Sequence, residues 1–265
     1  MKQRVISAAI LIVLMAGMII LTSESRLLFF LAATVLCCWE MKRALEKLDY
    51  HVMIGYVYAA CLECTLLIYF DKVGYAFPVF MVLLVAAFSH MLMSKHYRVK
   101  DVFATLAVCA YPMSPLLIVV YAVANERLWA ALLLNSLVPT ILSDTFALFG
   151  GKAFGKHKLA PTISPKKTVE GLICGVLCGT ASGLLVHVIL KALDMGLIPL
   201  WAEVIAAFLA SVAGALGDLA ASSVKRAAGI KDYSNLIPGH GGMLDRADSA
   251  LFAIPVVYML YSLFI

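Results

Sequence analysis

Nine stretches of about 20 mostly apolar residues leave this chain little choice of fold, because a helix of that length just crosses the hydrocarbon of a bilayer. They fall at approximately 5–22, 27–44, 52–70, 74–93, 102–123, 128–149, 171–191, 197–220 and 247–265. Only helices and closed barrels satisfy every backbone N–H and C=O inside a membrane, and runs this long read as helices. The expected fold is therefore all-α, a polytopic transmembrane helix bundle of about nine spans. Composition excludes a soluble alternative: 63% of the 265 residues are hydrophobic and 14% charged, against about 25% charged in a soluble domain. Too few polar side chains exist to cover a water-facing surface.

The first run follows Lys2 and Arg4, as a secretory signal would, yet no persuasive small-residue cleavage site precedes Thr22 and eight runs follow. It reads as a retained first helix. The fifth contains Tyr111-Pro112 and Ser114-Pro115 and is expected to kink. All but four of the 21 Lys and Arg residues fall in connections on the side of the N-terminus; the exceptions are Arg26, Lys72, Arg127 and Lys191. The positive-inside rule places the N-terminus in the cytoplasm, and nine spans place Ile265 outside. The net charge of +5 is thus a topological signal, and no nucleic-acid partner is expected.

Polar residues are unevenly shared. Residues 1–135 read as a membrane scaffold with short loops, in which Glu63 is the one conspicuous intramembrane acid. Residues 136–265 carry two long cytoplasmic connections, 150–170 and 221–246, and form the functional half of one integral membrane unit. All seven cysteines lie in apolar runs; Cys61 and Cys64 have CxxC spacing, but no second pair completes a site, so packing is the expected role. Gly171, Gly175, Gly179 and Gly183 recur every fourth residue and share one helix face. Packing within the subunit, with Ala210, Gly214 and Gly217 as the complementary surface, is favoured over a homodimer seam.

Four aspartates carry the chemistry: Asp144 in the sixth run, Asp218 near the end of the eighth, and Asp245 and Asp248 at the start of the ninth. A carboxylate in hydrocarbon costs a few kcal/mol, about 3 on lenient scales, which makes each a functional hypothesis. Asp245 and Asp248, three apart, share a helix face. Paired carboxylates suit Mg²⁺, which completes its shell with water and substrate phosphates. Beside these acids lie anion-binding groups: Ser164-Pro165-Lys166-Lys167, then Ser222-Ser223-Val224-Lys225-Arg226, Lys231-Asp232 and Gly239-His240-Gly241-Gly242. Lys166, Lys167, Lys225, Arg226 and Lys231 suit phosphate contact, and glycines let backbone N–H groups approach an anion. Gly150 to Lys156 imitates a P-loop, but His157 stands where Ser or Thr would ligate a metal. Acids for a metal, bases for phosphates and a membrane setting together point to phosphoryl or nucleotidyl transfer to a lipid.

The stretch from Ser222 through Val224-Lys225-Arg226, Lys231-Asp232, Ser234, Ile237-Pro238, His240-Gly241-Gly242-Met243 and Asp245-Arg246 to Asp248 closely resembles the signature of the phosphatidate cytidylyltransferase (CDP-diacylglycerol synthase) family. Ala247 is the one departure, at a position with no assigned chemistry. Ser143-Asp144-Thr145, Ser164 through Gly171 and, more loosely, Trp39-Glu40 are also similar to the family. The resemblance implies CTP + phosphatidate → CDP-diacylglycerol + pyrophosphate, with Mg²⁺ as cofactor. It implies Asp218 and Asp245 as first metal ligands, supported by Asp144 and Asp248. Lys225, Arg226 and Lys231 would neutralise the phosphates, and Lys166 and Lys167 would close over the nucleotide. Ser164, Ser223, Gly241, Gly242 and Arg246 would bind substrate. His240 would hydrogen-bond a phosphate oxygen or protonate pyrophosphate, and Asp232 would ligate or orient Lys231. An ion-coupled transporter is the reading from another class; it predicts inverted repeats and a midplane site, neither of which the sequence displays.

Overall fold

The computed structural model describes residues 22–125, 128–236 and 241–264. Nine α-helices are found among them: α1 (Ser23–Glu46), α2 (Ile54–Tyr69), α3 (Ala76–Met93), α4 (Val99–Val108), α5 (Ser114–Ala124), α6 (Leu128–Phe154), α7 (Val169–Ala192), α8 (Leu200–Ala227) and α9 (Leu244–Tyr261). This is a multi-pass membrane-helix bundle. The one addition to the all-α expectation is an antiparallel hairpin, β1 (Lys158–Ala160) and β2 (Ser164–Thr168), within the connection read as loop.

Five segments among the described residues are long and apolar enough to cross a membrane: Val73–Met93, Val99–Ala124, Leu128–Phe154, Val169–Ala192 and Leu200–Ala227. The expected count of nine is therefore corrected. The run at 5–22, apart from Thr22, lies outside the described residues, as do Lys2, Arg4 and Arg127. The run at 27–44 does form a helix, but with Arg26, Glu40, Lys42 and Arg43 within it α1 is not among the segments long and apolar enough to cross a membrane. The run at 52–70 yields a helix of 16 residues, about 24 Å long against a core of about 30 Å. The last run forms 18-residue α9, whose first turns carry Asp245, Arg246 and Asp248.

Packing divides the chain into Met1–Ala124 with Ala227–Arg246, and Asn125–Arg226 with Ala247–Ile265. In the first unit α1 packs against α5, burying Phe30, Cys37, Cys38 and Met41 with Val119, Val120 and Val123. Cys61 is also buried and all seven cysteines are free thiols, consistent with packing. The expected kink occurs where α4 gives way to a π-helical segment, Cys109–Met113, with Tyr111 in an extended conformation before α5. The α1–α2 connection is fastened to the start of α4: buried Asp101 accepts from the N–H groups of His51 (2.7 Å) and Arg98 (2.8 Å), and Thr105 Oγ1 accepts from Met53 N–H. Only Ala87 of α3 is buried, and Phe77, Val82, Val85 and Leu92 are exposed, as suits a lipid-facing helix.

In the second unit α6 and α7 make the most extensive helix pairing. The glycine face explains why. A Cβ on Gly171 would stand 2.6 Å from the Ala147 carbonyl oxygen, and one on Gly175 would stand 2.5 Å from that of Ser143, so α6 lies directly on the α7 backbone. Further along, the same face meets α8: Gly179 abuts Ser211, and Gly183 abuts Glu203 and Val204. Gly214 and Gly217 turn elsewhere, to Thr140 of α6 and to Asp248 and Phe252 of α9. The glycine face is thus filled within the unit.

The hairpin leads straight into α7. Thr168 ends β2 and caps α7, accepting from Gly171 N–H at 3.2 Å. Glu170, in the first turn, accepts from the N–H groups of Lys156 and His157 and pairs with the His157 ring at 2.6 Å. The hairpin therefore closes on the helix it precedes.

Candidate functional site

Three of the four singled-out aspartates belong to the second unit, each from a different helix: Asp144 on α6, Asp218 on α8 and Asp248 on α9. Like charges act between them, Asp218 on both Asp144 and Asp248, and Asp144 on Asp248. Two lysines answer. Lys167 of β2 forms an ion pair with Asp218, and Lys225 of α8 lies 3.6 Å from Asp248 Oδ2. Lys225 and Asp248 are both buried, and a buried carboxylate stripped of its cation costs about 3–5 kcal/mol. Hydroxyls complete the arrangement, with Ser249 Oγ donating to Asp144 Oδ2 at 3.2 Å and Ser222 Oγ to Asp218 Oδ1 at 3.4 Å. Ser249 N–H donates to Asp248 Oδ1 at 2.8 Å.

The stretch Ser222 to Arg226, read from sequence as loop, is instead the last part of α8. Its cations suit the negative end of the helix dipole. Arg226 is exposed and its Nε donates to the Ile163 carbonyl at 3.4 Å, giving the hairpin a second tie to α8 beside that of Lys167. Ser164 is half-buried and Lys166 exposed on β2; Ser223 is half-buried on α8. The cluster holds three carboxylates to two ammonium groups, and carboxylates are hard oxygen donors of the kind Mg²⁺ takes. Among the described residues no group of three or more His, Cys, Asp or Glu side chains converges closely enough to hold a metal; Lys167 and Lys225 pair with Asp218 and Asp248 instead.

The fourth aspartate sits in the first unit and has different company. Asp245 is buried, and its Oδ2 accepts from the N–H groups of Tyr233 (2.7 Å) and Gly242 (2.9 Å). It is a loop organiser as it stands. Gly241 has φ +86°, a left-handed conformation natural to glycine, and a Cβ there would stand 2.9 Å from Asp245 Oδ2. Gly242 presses against another carboxylate, Glu40 of α1, whose oxygens lie 2.5 and 2.6 Å from where its Cβ would be. Glu40 is fully buried and accepts three hydrogen bonds: from Ser234 Oγ (2.5 Å), Met243 N–H (3.0 Å) and Leu244 N–H (2.7 Å). The paired glycines are thus threaded between two carboxylates. Lys231, Asp232 and Arg246 are exposed, and His240 lies outside the described residues.

Sequence reasoning missed two acids. Glu40 had a trace of signal in the Trp39-Glu40 pair, but its partners are about 200 positions away. Glu203 on α8 had none. It is fully buried, accepts from Tyr261 Oη at 3.0 Å, and is also bound by Asn135 Nδ2. This triad joins α6, α8 and α9 at their other ends, some 14–22 Å along each helix from the aspartates at about 1.5 Å per residue. Glu63, the acid noticed in the scaffold, is half-buried on α2.

A family model described as the cytidylyltransferase family matches residues 2–264. Phosphatidate cytidylyltransferases of Staphylococcus saprophyticus and Staphylococcus haemolyticus are each 44% identical to the chain over 119 residues, and that of Staphylococcus aureus strain COL is 43% identical over the same length. In each case the match covers 45% of this chain and 44% of the relative, so the chain spans less than half the length of the curated relatives it matches.

Proposed function

The chain belongs to the cytidylyltransferase family, and from that premise we propose that it is a phosphatidate cytidylyltransferase, which transfers CMP from CTP to phosphatidate and releases pyrophosphate. The observation that carries the reading is the second unit's cluster of Asp144, Asp218 and Asp248 answered by Lys167 and Lys225. It offers carboxylates to a cation and ammonium groups to phosphates within one membrane-embedded bundle. A non-bridging oxygen of the phosphatidate phosphate attacks the α-phosphorus of CTP. The bond from that phosphorus to the bridging oxygen of the β-phosphate breaks, and pyrophosphate leaves with the electron pair. The nucleophile is already an anion at about pH 7, so no general base is needed to make it.

What the residues must do is hold two anions together against their repulsion, and receive the charge that accumulates on pyrophosphate. Lys167 and Lys225, beside the acids, are assigned this task; when substrate enters, their ammonium groups exchange carboxylate for phosphate. Lys166, Arg226, Lys231 and Arg246 supply further positive charge. Ser164, Ser223, Gly241 and Gly242 supply hydroxyl and backbone donors. His240 is assigned to a phosphate oxygen or to protonating pyrophosphate, and Asp232 to ligation or to orienting Lys231. Asp144, Asp218 and Asp248 would be the carboxylates to hold Mg²⁺ once Lys167 and Lys225 pass to phosphate, and the ion when bound would neutralise phosphate charge. Asp245 is retained as a ligand, its carboxylate oriented by Tyr233 and Gly242 in the way that hydrogen bonds orient metal-binding carboxylates. The basic connections face the cytoplasm on this reading, where CTP is found, and phosphatidate enters from the adjoining leaflet.

The test is cytidylyl transfer by the purified chain in detergent micelles containing phosphatidate, labelled CTP and Mg²⁺. Labelled CDP-diacylglycerol that disappears with EDTA supports the proposal. A folded, lipid-supplied preparation that forms none overturns it.

A further inference from the structure

We infer that Glu40 is a positioning residue for this reaction, acting through the first turn of α9. The inference rests on the proposed cytidylyl transfer for its catalytic consequence, and on geometry alone for the rest. Glu40 is a fully buried carboxylate whose partners among the described residues are neutral: its three hydrogen bonds come from one hydroxyl and two main-chain N–H groups. Buried charge without an ion partner persists when hydrogen bonds of good geometry surround it.

Those three donors are not scattered. Met243 and Leu244 are the last residue before α9 and its first, so Glu40 fills the role of an N-cap supplied from another helix. Orphan N–H groups at a helix start take an acidic partner readily, because the helix dipole is positive there. Ser234, the third donor, lies on the loop that also delivers Tyr233 N–H to Asp245. Neighbouring residues 233 and 234 therefore reach neighbouring carboxylates, and 242, 243 and 244 do the same from the other side. Asp245 follows Leu244 directly. Its direction is set by a turn whose N–H groups are held by Glu40, and Gly242 leaves no room for Glu40 to shift toward it.

Glutamine at position 40 keeps the shape and loses the function. One of its ends would present an N–H₂ group to main-chain N–H donors that cannot accept, leaving at least one orphaned in a buried place. The start of α9 would then relax, and Asp245 with it. A displacement of about 1 Å in a reacting assembly costs on the order of 100-fold in rate.

The experiment compares wild type, Glu40→Gln and Ser234→Ala as purified full chains in micelles, following product formation against Mg²⁺ concentration. Amide hydrogen exchange across 230–246 is measured on the same samples without CTP. For Glu40→Gln the expected result is a 10- to 100-fold lower rate, a higher half-saturating Mg²⁺, partial recovery at high Mg²⁺, and faster exchange confined to this segment. Ser234→Ala, which removes one donor to Glu40 and frees only the exposed Leu236 N–H, which water can take up, should move the same readings in the same direction by less. A merely structural role would lower the rate in proportion to folded protein with the Mg²⁺ curve unmoved, and that outcome overturns the inference. So does wild-type exchange at 230–246 in Glu40→Gln. If wild type itself makes no product, the proposed function fails, while the exchange data still decide whether Glu40 holds this turn.

Discussion

Glu40 and Asp218 are both acids within helices of a membrane protein, yet they are satisfied in opposite ways. Glu40, in the first unit, is surrounded by a hydroxyl and two main-chain N–H groups. Asp218, in the second, faces the ammonium of Lys167. Main-chain donors are fixed and cannot leave, so the acid they bind is held in one orientation. A lysine on a flexible stem can let go of a carboxylate and take a phosphate instead. The partner, more than the acid, tells which role a buried carboxylate fills. Glu203 in the second unit is likewise satisfied by neutral donors, here the buried side chains of Tyr261 and Asn135, and so belongs with Glu40.

The comparison breaks most directly at Lys225. Lys225→Ala strips buried Asp248 of its cation and is expected to destabilise the protein by about 3–5 kcal/mol as well as abolish transfer, read by thermal unfolding and product formation. Lys225→Ala together with Asp248→Asn should recover most of the stability and none of the activity. Asp218→Asn is the next largest effect. It should lower cytidylyl transfer by about 100-fold or more, the scale for losing one group that stabilises transition-state charge, with unfolding little changed; a fold that collapses instead would move Asp218 into the architectural class.

On the architectural side, Gly242→Ala pushes a methyl onto the Glu40 carboxylate. A loss of about 1–3 kcal/mol, usual for overpacking, should appear in denaturant unfolding. Glu203→Gln sharpens the contrast from the other direction. An amide can still accept from Tyr261, so a change near 1 kcal/mol is expected, with transfer intact in the micelle assay. The smallest effect concerns a surface acid. Lys100 beside Asp49 holds that carboxyl below its ordinary value of 3.8. A depressed carboxyl adds stability above its unfolded pKa and loses it as pH falls through the folded one. Asp49→Asn should therefore flatten the acid limb of a melting-temperature profile below about pH 4 and leave the neutral region alone.

Much of this was written locally. Val169–Ala192 and Leu200–Ala227 follow from unbroken apolar runs, and the break near Pro112 follows from proline chemistry. Asp144, Asp218, Asp245 and Asp248 announced themselves because acids in such runs are costly. The hairpin did not, since eleven residues rich in Lys and Pro look like any loop until they pair. Nor could spacing reveal that Ser222 to Arg226 remain helical, because the apolar signal ends before the helix does. Glu40 gave only a trace and Glu203 nothing, for a deeper reason. Their meaning resides in residues far along the chain, and a window sliding over sequence never holds both partners.

The glycine face of α7 has two addressees. At Gly175 an added methyl would act as a wedge against Ser143, next to Asp144; at Gly183 the same wedge would bear on the backbone of Glu203. One substitution type, moved two turns along a single helix, thus becomes a probe that jars either the aspartate-bearing end of this bundle or its fastening at the far side.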